Sequence, residues 1–164
     1  MMNTVFRRSL LLALTLALLA GFGCAKKQVA EPEVYDDELA MTESERMAAQ
    51  RIADGIIYFA FDRYDLSAEA RSTLTRQAAQ IREVPQLRVT IEGHCDERGT
   101  DEYNLALGER RARAAFEFLV NLGVNPNQLE MVSFGKLRPA VPGNNEAAWA
   151  QNRRAEFKAY KPRI

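Results

Sequence analysis

The densest run of chemically capable side chains is Glu92-Gly93-His94-Cys95-Asp96-Glu97-Arg98-Gly99-Thr100, followed by Tyr103, Asn104 and then the pair Arg110-Arg111. His94 beside Cys95 suggests a thiol nucleophile with its base, and His94, Cys95 and Asp96 together suggest metal ligands. Spacing opposes both. Adjacent residues leaving a strand tend to point to opposite sides, whereas a nucleophile and its base must approach to about 3 Å. His94 is the single histidine of the chain. Zinc needs about four ligands, and no CxxC or HxxxH pattern supplies them. The expectation is a non-catalytic protein with no metal and no cofactor, in which His94 is a partly buried, hydrogen-bonding residue that fixes the loop.

What remains is a carboxylate and a guanidinium. Asp96 falls just past a strand end, in a turn with Gly93 and Gly99 where backbone amides can receive ligand oxygens. On a helical wheel Leu105, Ala112, Phe116 and Leu119 form a stripe that faces the core. Asn104 and Arg111 lie on its flank, and Arg110 and Arg113 turn into water. A guanidinium held at the edge of a buried face offers a planar fork to a carboxylate. It serves equally as a structural salt bridge to Glu109 or Asp96, and periodicity leaves both readings open. Asp96 and Arg111 meeting at one loop-helix junction would make a receptor for a zwitterion.

The elements that must position this cluster are legible on either side of it. Ile56 to Phe61 is β-branched and aromatic and predicts a strand. Ser67 is a natural N-cap for a helix that ends at Val84, before Pro85. Leu87, Val89 and Ile91 alternate with polar residues, the mark of a half-buried strand ending at Gly93. After the polar loop 94–101, residues 102–122 carry the longest helical pattern, closed by Gly123 and Pro126. A third strand through Leu129 to Phe134, a short helix 146–153 and a last strand through Ala155, Phe157 and Ala159 complete the order βαβαβαβ. The last strand has one polar face, so the prediction is an α/β sandwich with the helices on one side of a mixed sheet, over residues 56–164.

The amino terminus reads as an address. Arg7 and Arg8 precede the apolar run Ser9 to Leu19, and Ala20 to Gly23 are small residues or Phe, the order of regions in an export signal. Residues 1–23 are expected to be removed. Gly23-Cys24 resembles the lipobox of bacterial lipoproteins, with Gly21 where that pattern usually carries Leu. The resemblance implies acylation of Cys24 and, with Ala25 rather than Asp next, the outer membrane; three acyl chains would be an effectively permanent anchor. Residues 24–55 are rich in charge and small residues and predict a flexible tether. Thr42 and Glu45 have capping-box spacing, which suggests a short exposed helix over 46–53. Twenty-two basic and twenty-two acidic residues give a formal charge of zero, which argues against a nucleic-acid binder that works by neutralising phosphates.

The string EGHCDERGTDEYNLALGERRA, residues 92–112, closely resembles the signature of the peptidoglycan-associated lipoproteins, a branch of the OmpA-like cell-wall-binding domains. Residues 58–62 (YFAFD), 132–136 (VSFGK) and 152–156 (NRRAE) extend the likeness over the whole domain. The resemblance implies a non-covalent tie between outer membrane and peptidoglycan. Its ligand would be meso-diaminopimelate, Asp96 taking the ammonium and Arg111 the carboxylate of the side-chain end. Phe61, Asp62, Cys95, Arg98, Asn104 and Leu107 occupy family positions that line the pocket, although Phe61 and Leu107 also suit a core. The Tol system, with its component TolB, is the implied protein partner. Cys95, unpaired once Cys24 is lipidated, is expected to be buried, since an exposed thiol would be oxidised in the periplasm.

Overall fold

The computed structural model describes residues 41–162, so Cys24 and the expected signal and lipidation site lie outside the described residues. The first helix, α1, spans Glu43–Ala53. Thr42 caps it: its Oγ1 accepts from the Glu45 amide at 3.3 Å, and the Glu45 carboxylate accepts from the Thr42 amide at 2.7 Å. Strand β1 (Ile57–Tyr58), helix α2 (Ala68–Glu83), strand β2 (Arg88–His94) and helix α3 (Asp101–Asn121) follow. A 3-10 turn leads into β3 (Leu129–Gly135), then α4 (Glu146–Asn152) and β4 (Arg154–Tyr160) close the fold.

The sheet order is β1-β4-β2-β3, with β2 and β3 parallel and the other pairs antiparallel. The predicted order βαβαβαβ holds, with α1 added in front. Val89 and Ile91 of β2, Leu129 of β3 and Ala155 and Phe157 of β4 alternate onto one face, where they join Leu74, Ile81, Ala112, Ala115 and Leu119 from α2 and α3 in one core. The opposite face carries Glu92, His94, Glu130, Phe134, Glu156 and Lys158, so the α/β sandwich has its apolar core on a single side.

Two expectations change. The strand expected over 56–61 is a ladder of only two residues, because the carbonyls beyond it are taken by arginine side chains: Phe59 O accepts from Arg153 Nε at 3.0 Å, and Ala60 O and Arg63 O accept from Arg111 at 3.2 and 2.8 Å. The second change concerns α1, expected as an exposed helix within a tether that ran to residue 55. Met41, Ala48 and Ile52 are buried in the core cluster, Ile52 completely. The Ile52 and Gly55 carbonyls accept from buried Gln77 at 2.8 and 3.0 Å, and Glu45 pairs with Lys161 beyond β4 at 3.0 Å. Residues 41–55, expected in the tether, therefore belong to the packed domain. Ile52→Ala should cost about 2 to 5 kcal/mol of stability by urea unfolding; a change within about 0.5 kcal/mol, as for a surface residue, would return α1 to the tether. Among the described residues no helix is long and apolar enough to cross a membrane.

Candidate ligand-binding site

The loop Cys95–Thr100 leaves the carboxyl end of β2, in the sheet centre, and feeds directly into α3. Thr100 caps that helix, its Oγ1 accepting from the Tyr103 amide at 3.2 Å. Helix and sheet approach unusually closely here: a Cβ added to Gly93 would stand 1.9 Å from the Gly108 carbonyl oxygen, and one added to Gly108 would stand 2.3 Å from Ser133 Oγ. Gly108 therefore sets the rotation of α3. Asn104, Gly108, Arg111, Ala112, Ala115 and Leu119 face inward, and Leu105, expected in the core stripe, is half exposed. Arg111 thus lies at the centre of the buried face rather than on its flank.

A cavity of about 170 Å³ opens at this junction, lined by Phe61, Asp62, Cys95, Asp96, Arg98, Gly99, Tyr103, Asn104, Leu107 and Arg111. All eight residues expected around the ligand border it. Gly99 and Tyr103 are additions, and Tyr103 Oη donates to Asp62 Oδ1 across the mouth. Asp62 holds a left-handed φ of 56°, a conformation that Asp tolerates better than most residues. Phe61 is largely exposed at the rim, not in the core, whereas Leu107 is buried.

Arg111 is 1% exposed. Its Nε donates to Arg63 O at 2.8 Å, Nη1 to His94 O at 2.7 Å and Nη2 to Ala60 O at 3.2 Å. Neither salt bridge open to it from the sequence forms: Glu109 pairs with Arg113 at 2.8 Å, and Asp96 pairs with Arg98 and Arg153 at 2.6 and 3.4 Å. Three of its five N–H groups are satisfied by carbonyls and the Cys95 thiol is a further hydrogen-bonding neighbour, with no carboxylate of the described residues in ion-pair contact. Burial pulls its pKa down, yet a guanidinium stays protonated at neutral pH.

Asp96 is buried at the other side of the cavity. Burial works against its ionised form, but hydrogen bonds from Arg98 Nε at 3.0 Å and Nη2 at 2.6 Å outweigh it and hold the carboxyl below its ordinary range. Arg153, which sequence reasoning did not single out, ties this corner together: it donates to Phe59 O, to Asp96 and to Glu146 at 2.7 Å. Trp149 was also missed. Both stand in or beside the segment 152–156 that extended the likeness, far in sequence from the loop they support. Cys95 is buried, its Sγ donating to Asn104 O at 3.3 Å, and burial pushes its thiol pKa up, which makes it a poor nucleophile.

His94 departs from expectation. Its ring lies on the face of the sheet opposite the apolar core, stacked on Phe134 with centroids 5.5 Å apart, on the opposite side from Cys95. It is 1% exposed and neither ring nitrogen has a hydrogen-bond partner; it fixes the loop through its backbone carbonyl, which Arg111 holds. Ligand atoms of Glu92, His94 and Glu156 lie within 4.8 Å of one another, but Lys158 pairs with Glu92 at 3.0 Å and Arg154 with Glu156 at 2.5 Å, so their carboxylates are already neutralised. Burial, assisted by Arg154, holds the His94 imidazole at about 4, below its ordinary 6.5. The unfolded chain therefore binds a proton first as pH falls. His94 should withdraw about 3 kcal/mol of stability between pH 6.5 and 4, and His94→Gln should flatten that slope in urea unfolding at stepped pH. An unchanged slope would contradict the assignment.

Residues 58–153 match the OmpA family, and the chain belongs to that family. Its relatives include the peptidoglycan-associated lipoprotein of Pseudomonas putida, 41% identical over 89% of this chain and 93% of that protein. That of Brucella melitensis is 38% identical over 93% and 92%. The Pseudomonas aeruginosa protein of the same name is 54% identical, over 62% of this chain and 60% of its own length. The crystal structure of the peptidoglycan-associated lipoprotein from Burkholderia pseudomallei superposes with a TM-score of 0.62 at 45% identity, covering 63% of this chain and 88% of that one. The likeness read from the loop and helix is thereby upheld, as is the OmpA-like fold.

Proposed function

We propose that this domain binds peptidoglycan non-covalently by the zwitterionic end of its diaminopimelate residue. Arg111 receives the carboxylate and Asp96 the ammonium, with no catalytic step. The observation that carries this reading is Arg111: a buried cation with no carboxylate of the described residues in ion-pair contact, lining a cavity that the ionised carboxylate of Asp96 also lines. A buried charge is costly unless it is paired, and a ligand carboxylate supplies the pair. The names of the relatives supply the polymer. A cavity of this size suits one amino-acid terminus better than a sugar strand. Co-sedimentation of the protein with purified walls that contain diaminopimelate tests the reading; protein left in the supernatant would refute it.

The same relatives favour an acylated Cys24 anchored in the outer membrane, with the domain in the periplasm tying membrane to wall. The family resemblance implies a place in the Tol system, with TolB competing for the wall-binding surface. Cys24→Ser should leave the domain folded and abolish palmitate labelling and outer-membrane fractionation. Undiminished labelling in the variant contradicts the anchor.

A further inference from the structure

Asp96 is fully engaged by the protein itself. Oδ1 accepts from the Arg98 amide at 3.2 Å and from Arg98 Nε at 3.0 Å; Oδ2 accepts from Arg98 Nη2 at 2.6 Å and Arg153 Nη1 at 3.4 Å. A carboxylate offers about four lone-pair sites, so none is left for a ligand ammonium. The Arg98 guanidinium is also clasped between two aromatic rings, its carbon 3.9 Å from the Phe61 centroid and 4.0 Å from that of Trp149. Two ring faces and a carboxylate make a cage for a cation.

We propose that Asp96, Phe61 and Trp149 form a cation subsite that Arg98 fills in the free protein and vacates when a ligand ammonium enters, so that Arg98 acts as a built-in competitor. This rests on the reading that Asp96 receives the ammonium. The two arginines on Asp96 differ in the way the proposal requires. The Arg153 side chain is 8% exposed and is pinned by Phe59 O and Glu146. The Arg98 side chain is 31% exposed, and Phe61 beside it is 57% exposed, so outward rotation of Arg98 meets solvent and displaces no core. An ammonium entering the cage recovers the carboxylate and the ring faces that Arg98 gives up. Ligand entry and Arg98 release are therefore one exchange, and affinity is lower than the bare cage would give.

Trp149, the single tryptophan of the chain, reports the exchange directly. The full chain in detergent is titrated with a muropeptide carrying meso-diaminopimelate, and emission is followed beside calorimetric affinity. Wild type should change its Trp149 emission in step with occupancy. Folded Arg98→Ala should bind about tenfold more tightly, the scale of two modest ring stacks released. Methylguanidinium should compete with the muropeptide in Arg98→Ala, where the cage is open, and leave wild type unaffected. Binding by wild type with unchanged emission, or equal or weaker binding by Arg98→Ala, would overturn the built-in competitor while leaving the zwitterion reading intact. Absence of muropeptide binding by both proteins would overturn the two together.

Discussion

Arg111→Ala should lower wall binding by about two to three orders of magnitude, while Arg110→Ala, one residue away with the same charge, changes it less than about twofold. The first change leaves a ligand carboxylate buried without its partner, a loss of the kind that costs 2 to 5 kcal/mol. Arg110 is exposed and reaches outward over Tyr64 and Tyr103, at 5.7 and 6.0 Å from their centroids. Arg111→Lys should fall between, because an ammonium reproduces the charge but not the planar fork. Arg111 also holds the carbonyls of Ala60, Arg63 and His94, so the comparison is made by sedimentation with walls at a temperature where circular dichroism shows all three variants folded. Equal losses at Arg110 and Arg111 would move the carboxylate site elsewhere.

The second large effect is at Asp96. Asp96→Asn keeps the shape of the side chain and removes the charge, which leaves Arg98 without its carboxylate partner and Arg153 with Glu146 alone, beside the buried Arg111 cation. The site then repels an ammonium, and binding should fall by at least about thirtyfold. The sign of the pH dependence follows from the same contacts. The carboxyl titrates below its ordinary value, so its contribution is fully present above pH 4 and is lost only as pH falls through the depressed value. Wild-type wall binding should therefore stay flat from pH 8 to 5. An inflection near pH 6 would implicate a different group.

The binding loop was legible in the sequence because its parts are contiguous. Residues 92–112 run from strand to loop to helix without interruption, so any fold that contains them brings Asp96, Asn104, Leu107 and Arg111 to one junction. Rotation of the helix was not legible, since apolar residues placed the core stripe through Leu105 whereas contact between Gly93 and Gly108 decides it. The docking of α1, though not the helix itself, escaped because Met41, Ala48 and Ile52 among charges do not predict a core contact; its place is set by Gln77 and Lys161, which lie 25 and 116 residues from their partners. Trp149 and Arg153 were missed for the same reason: their roles depend on β4 lying between β1 and β2, a pairing that no local pattern announces.

The most direct measurement of the central claim is calorimetric titration of the wild-type protein with two muropeptides that differ only at one position, meso-diaminopimelate in one and lysine in the other. They share the ammonium that Asp96 would take and differ in the carboxylate that Arg111 would take. Saturable one-to-one binding of the diaminopimelate peptide, with the lysine peptide at least about tenfold weaker, is the predicted result. Equal affinities would contradict it, because the buried guanidinium would then have no part in recognition.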